Sequence, residues 1–225
     1  MTDARSLYHT SFSPSCRKMR MLMDEMGLEY KLIEEPVWKQ RKEFLEMNPA
    51  GDVPVMIDGN GLRLCGSYVV TEYLEEGYQV DSFIGATLGD RAEVRRMIHW
   101  ADNKLLKEVT QPLLHEKFFC NMLKLGQPDT NKIRRAKKFL NDHIAYFESL
   151  LHTHEWMASE HFSLADMSVA AHISLYDYLD DMPWKRNSKL KNWYALMKSR
   201  PAMQRILKDR VRGLKPPAHY ENPDF

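Results

Sequence analysis

The stretch Ser6-Leu7-Tyr8-His9-Thr10-Ser11-Phe12-Ser13-Pro14-Ser15-Cys16-Arg17-Lys18-Met19 decides how the rest of the chain is read. Ser6-Leu7-Tyr8-His9 has strand character. Ser13-Pro14 is a helix start: serine caps the first free N–H groups, and proline occupies the first helical position, where its missing donor costs nothing. Met19, Leu22, Met23 and Met26 recur at helical spacing up to Gly27, which stands where a helix ends in a left-handed residue. Tyr30-Lys31-Leu32-Ile33 is a second strand, so residues 6–33 read as a strand–helix–strand unit. Toward the C terminus, 38–46 reads as a short polar helix. Residues 53–57 and 62–64 read as strands around the turn Asp58-Gly59-Asn60-Gly61. Ser67 then opens a helix through Val70, Tyr73 and Leu74.

From about Asp90 the pattern becomes entirely helical. Val94, Met97, Ile98, Ala101, Leu105 and Val109 keep the 3.6-residue spacing, and Pro112 is expected to kink or end that run. Ile133 to Leu151 mark a long amphipathic helix, and 164–179 is apolar nearly all round, as in a central buried helix. Leu190, Trp193, Tyr194 and Met197 line another that stops before Pro201, with a short helix over 202–209. The tail from Gly213, with three prolines, is expected to be extended. The expected fold class is therefore α/β plus all-α: a βαβαββα domain over 1–80, a linker at 81–89, and an all-helical domain over 90–225.

The 225 residues carry 32 basic and 31 acidic side chains, with 44% hydrophobic and 28% charged residues, which excludes a disordered or fibrous chain. The near-zero net charge offers no field for nucleic acid or an anionic membrane, so neither is an expected partner. No apolar run approaches the ~20 residues of a membrane span, and the N terminus lacks a signal-peptide core. Three separated cysteines without a C-x-x-C pair point to reduced thiols and a cytoplasmic protein.

Four segments carry chemistry or architecture. They are Ser13-Pro14-Ser15-Cys16-Arg17-Lys18, then Asn48-Pro49-Ala50-Gly51-Asp52-Val53-Pro54, then Ser67 with Glu72-Tyr73-Leu74, and Ser163-Leu164-Ala165-Asp166. In this order and spacing they resemble the segments of a cytosolic glutathione S-transferase of the bacterial serine/cysteine type, whose N-terminal domain is thioredoxin-like. The resemblance implies glutathione as co-substrate, a small hydrophobic electrophile as acceptor, and a homodimer. It also implies that an apolar cleft in the helical domain receives the electrophile. Part of the stripe Trp100, Met122, Tyr176, Tyr178 and Trp184 would line that cleft, the rest being core.

The roles carried over are specific. A helix N-terminus favours anions, so Ser13 is placed to hold the glutathione thiolate, with Cys16, Tyr8 or a backbone N–H as the alternatives. The serine in place of a first thiol argues against dithiol reduction. Val53 and a cis-proline at Pro54 would pair with the glutathione backbone, and Ser67 would hold its γ-glutamyl carboxylate. Lys39, Arg41 or Lys42 would meet the glycyl carboxylate, Lys39 being the assigned residue. One departure stands out: Gly66 replaces the acidic or amide residue that usually precedes the serine. The resemblance also leaves open a glutathione-dependent isomerase, dehalogenase or lyase, or a non-catalytic binding or interaction module.

Ser163 and Asp166 form a capping-box pair, so their role is structural. No metal site is expected. The group His152, His154 and His161 fits no zinc pattern, and His115-Glu116 lacks the second histidine of H-E-x-x-H.

Overall fold

Strand β1 (Arg5–His9) is an inner strand of a four-stranded sheet. It pairs in parallel with β2 (Tyr30–Glu34) and antiparallel with β3 (Val55–Ile57), which pairs antiparallel with β4 (Arg63–Cys65). The in-register row Leu7–Met56–Leu64 crosses three strands and is buried. The structure is a computed structural model describing residues 4–78, 82–185, 188–211 and 213–224. The chain start Met1-Thr2-Asp3, residues 79–81 (with position 81 of the expected linker), 186, 187, 212 and the last residue of the tail lie outside these.

The chain divides into two units, Met1–Ser82 and Phe83–Phe225. In the first, α1 (Pro14–Glu25) is capped by Ser13 and ends at Gly27, whose φ of +67° permits the closing pair Gly27 N–H to Asp24 O (3.1 Å) and Leu28 N–H to Met23 O (2.9 Å). This α1 packs on α3 (Ser67–Gly77), where the Thr71 hydroxyl meets the Met19 sulfur at 3.7 Å. The expected helix over 38–46 is instead two pieces. A 3-10 turn (Val37–Lys39) and α2 (Lys42–Met47) are separated by Gln40 in the left-handed region.

One carboxylate ties the first unit together. Asp58, at the hairpin tip, accepts from Arg5 Nε (2.7 Å), Tyr73 Oη (2.7 Å) and Tyr78 Oη (2.9 Å). The start of β1, the β3–β4 turn and the end of α3 thus share one acceptor.

Among the described residues, the second unit is built of helices, with one isolated bridge between Val211 and Leu214. Its first helix starts at Leu88, inside the expected linker, because Thr87 and Asp90 form a complete capping box. Pro112 does not end the run. Helical pairing continues over 88–123, with wide π-type turns at Trp100–Thr110 and His115–Phe119, where an N–H pairs five residues back. Gln111 N–H still reaches back to Leu106 O, so the pairing changes step at the residue that has no N–H to place.

Behind this run lie the helices Thr130–Thr153, Leu164–Tyr178, Lys189–Ser199 and Pro201–Leu207. The Leu164–Tyr178 helix is buried along its whole length. At its start the fully buried Asp166 accepts from Met157 N–H (2.9 Å), Ser163 N–H (2.9 Å), Ser163 Oγ (3.1 Å) and Trp193 Nε1 (3.0 Å). Burial pushes its carboxyl up to about 6, against the pull of these four donors. The tail is not simply extended: it turns at 218–221 and buries Tyr220 against Tyr178, ring centroids 5.0 Å apart. No helix among the described residues is long and apolar enough to cross a membrane.

His143 supplies a pH-dependent element. Trp100 Nε1 donates to its Nδ1 at 3.1 Å, so that nitrogen carries no proton, and Nε2–H donates to Glu108 at 2.9 Å. Burial holds its pKa below the usual value, although Glu108 pulls the other way. The unfolded chain, with a histidine pKa of ~6.5, therefore takes up a proton first, and stability falls as pH drops through that value. The melting temperature of the wild type is expected to fall more steeply between pH 7.5 and 5.5 than that of His143→Gln. Equal slopes for the two would count against the assignment.

Candidate functional site

The sheet brings the sequence-predicted site segments to one end. β1 ends at His9, and Glu35 N–H, just past β2, donates to His9 O at 2.8 Å. The antiparallel register Tyr8↔Val55↔Cys65 places the start of β3 and the end of β4 at that same end. Ser13, Val53-Pro54, Gly66-Ser67 and the 3-10 turn with Lys39 thus all follow or precede strand ends on one side. Tyr8 belongs to the sheet itself, with its ring 6.0 Å from Phe44.

Ser13 is half-buried in extended backbone, and its Oγ accepts from Cys16 N–H at 3.2 Å. That bond uses a lone pair of the hydroxyl, which stands at the positive end of α1, where an anion is favoured. Cys16 is different. It is fully buried, and burial pushes its thiol up to about 11, with the Ser13 hydrogen bond pulling down less strongly. Desolvation outweighs the helix N-terminus, and Cys16 is a neutral thiol near pH 7.

The loop before β3 is built on Asn48. Its Nδ2 donates to Asp52 O (2.9 Å) and Asp52 Oδ1 (2.7 Å), and its Oδ1 accepts from Ala50 N–H (3.2 Å). The Val53–Pro54 bond is cis. Among the described residues the Val53 backbone N–H and C=O have no hydrogen-bond partner. Pro54 O accepts from Gly66 N–H at 2.9 Å.

Ser67 occupies the first turn of α3, and Gly66 is its cap. Gly66 sits at φ +90° and ψ 143°, positive-φ backbone that glycine adopts readily and residues with a Cβ do not. A Cβ there would have open space around it. Backbone conformation, and not crowding, is what selects glycine at this position.

The three basic candidates separate clearly. Arg41 is held by the buried Glu35 through Nη2–Oε2 (2.7 Å) and Nε–Oε1 (3.2 Å), and Lys42 faces Glu46 at 3.9 Å. Lys39 is exposed and has no carboxylate partner among the described residues. Sequence reading set His115-Glu116 aside as a metal motif and did not connect the pair with Cys120; among the described residues these three side chains come together in the second unit. The group's only signal is a spacing of five between His115 and Cys120, which brings side chains together in a π turn but not in an ordinary α-helix.

The geometry is that of a thioredoxin-like domain with an anion-favouring helix start and an unpaired backbone segment beside it, followed by a helical domain. Residues 7–82 match the family model of the glutathione S-transferase N-terminal domain, and residues 114–210 that of the C-terminal domain. The chain is 38% identical to FtsZ-localized protein A of Caulobacter vibrioides, over 100% of both chains. A crystal structure of a glutathione S-transferase from Rhodospirillum rubrum F11 matches with a TM-score of 0.94 at 38% identity, covering 98% of this chain and 100% of that one. Glutathione S-transferase D7 of Anopheles gambiae is 28% identical over 75% of this chain and 74% of its own. The chain belongs to the glutathione S-transferase family.

Proposed function

We propose that the chain is a partner-binding protein on a glutathione S-transferase scaffold, a cytoplasmic homodimer that docks on FtsZ. The observation carrying this is the likeness to FtsZ-localized protein A, at 38% identity over 100% of both chains. The site supports the reading. Gly66 supplies no acceptor for a γ-glutamyl end, where charge-assisted hydrogen bonds are worth ~1.5–3 kcal/mol. Cys16 supplies no thiolate. Sedimentation velocity of the purified chain with purified FtsZ is expected to show a complex, and millimolar glutathione to leave the melting temperature unchanged. A chain that ignores FtsZ would overturn the reading.

Ser13 and Val53 favour a second reading, glutathione transfer. Here the Ser13 hydroxyl would hold the glutathione thiolate for attack on a small hydrophobic electrophile. Val53 would pair with the peptide backbone, Ser67 would take the γ-glutamyl carboxylate and Lys39 the glycyl carboxylate. Conjugation of an electrophile panel that disappears in Ser13→Ala would establish it. Product analysis would separate a transferase from an isomerase, dehalogenase or lyase, in which the conjugate is transient.

A further inference from the structure

In the helical unit, His115, Glu116 and Cys120 project from one turn of the 88–123 run. That turn, His115–Phe119, is π-type, closed by Cys120 N–H to His115 O. The wide step brings positions five apart onto one face, where an α-helix would rotate them away from each other. The result is a three-ligand set from a single turn: Nδ1 to Oε1 is 3.0 Å, Sγ to Nδ1 is 3.7 Å and Sγ to Oε2 is 3.6 Å.

Those separations have a meaning. A tetrahedral zinc ion with bonds of ~2.0–2.3 Å to nitrogen, oxygen and sulfur holds neighbouring ligand atoms about 3.3–3.6 Å apart. Each separation lies within a few tenths of an ångström of that range, with Glu116 turning Oε1 to His115 and Oε2 to Cys120; taken with one oxygen of Glu116, the three ligand atoms lie within 4.8 Å of one another, so binding a single ion draws them together. The ligand chemistry agrees, since thiolate, imidazole and carboxylate together suit a borderline ion better than calcium or magnesium. Two anionic ligands also balance a divalent charge at a site where Glu116 and Cys120 are buried.

The supporting contacts fit as well. Glu116 Oε2 accepts from Asp129 N–H at 2.8 Å, which orients the carboxylate from outside, as second partners of metal ligands do. Lys132 Nζ lies 3.2 Å from Oε1 with its side chain 61% exposed, so it can swing into solvent when a cation arrives. His115, 53% exposed, keeps one side of the group open to water.

We propose that His115, Glu116 and Cys120 form a zinc site with a water molecule as the fourth ligand. On binding, the Cys120 thiol proton passes to solvent and the Sγ–Zn bond forms with no change of oxidation state.

The test uses the full, tag-free chain, stripped of metal. Titration with Co²⁺ is expected to give one ion per chain, the intense visible bands of a tetrahedral site and a thiolate-to-cobalt charge-transfer band, all displaced by one equivalent of Zn²⁺. Cys120→Ser should lose the charge-transfer band. His115→Ala, which removes a half-exposed ring and leaves the core untouched, should weaken Zn²⁺ binding by at least about tenfold. Lys132→Met should tighten it severalfold by removing the competing cation, and His154→Ala should change nothing. Absence of the charge-transfer band in the wild type would overturn the proposal. So would Zn²⁺ affinity unaltered in both His115→Ala and Cys120→Ser.

Discussion

Replacing Asp166 by alanine is expected to lower the stability of the helical unit by at least about 3 kcal/mol, the largest loss we anticipate from removing one carboxylate. The side chain is fully buried and accepts from two backbone N–H groups, an indole N–H and a hydroxyl. Alanine leaves all four donors without an acceptor in a place water does not reach, and each such group costs ~1–3 kcal/mol. The capping box on the buried Leu164–Tyr178 helix goes with it, and so does the bond that fixes Trp193 on the next helix. For a chain of this size the loss corresponds to a fall in Tm of roughly 6–12 °C, readable by calorimetry. Ser163→Ala removes only one donor and the hydroxyl cap, so it is expected to cost ~0.5–2 kcal/mol. Similar losses in the two variants would show that Asp166 is a plain cap and not the centre of a network.

Lys198→Met is expected to cost about 3–5 kcal/mol, the usual penalty for leaving one member of a buried ion pair alone. Lys198 Nζ lies 3.0 Å from Asp177 Oδ2, and both side chains are fully buried. Burial lowers the lysine pKa, and Asp177 opposes that shift. The ammonium also donates to His219 O at 2.9 Å, while Asp177 accepts from Trp184 Nε1 (2.8 Å) and His219 Nε2 (2.9 Å). The pair therefore clamps the C-terminal segment onto the bundle. Lys198→Met should raise amide exchange selectively over 214–224 as well as lowering Tm. Adding Asp177→Asn should recover part of the loss, because the stranded charge is gone. A double variant no better than additive would mean that the pair is not coupled.

What the sequence disclosed followed from locality. Ser13-Pro14, Gly27, the Asp58-Gly59-Asn60-Gly61 turn and the Ser163/Asp166 box act within a few residues, and each proved to terminate or begin an element as read. The family was legible because its motifs are short and their spacing is long-range. What stayed hidden depended on backbone step or on distant partners. Gly66 caps α3 through a φ that composition does not reveal. Pro112 passes through a helix whose pairing changes register beside it. Lys39 and Arg41 look equivalent in the sequence, and only Glu35 brought beside Arg41 separates them. The tail reads as extended from its prolines, yet Tyr220 finds a buried ring to pack on.

The Asp58 clamp has a topological consequence. Arg5, at the first strand residue of the N-terminal unit, and Tyr78, just after its last helix, bond to each other through Arg5 Nη2 and Tyr78 Oη at 2.6 Å as well as to the same carboxylate. The backbone of that unit thus traces a nearly closed ring, and the place where the ring is cut is a matter of genetic order, not of packing. A short splice between the two ends, with new termini opened at an exposed turn, would preserve every strand pairing in the sheet.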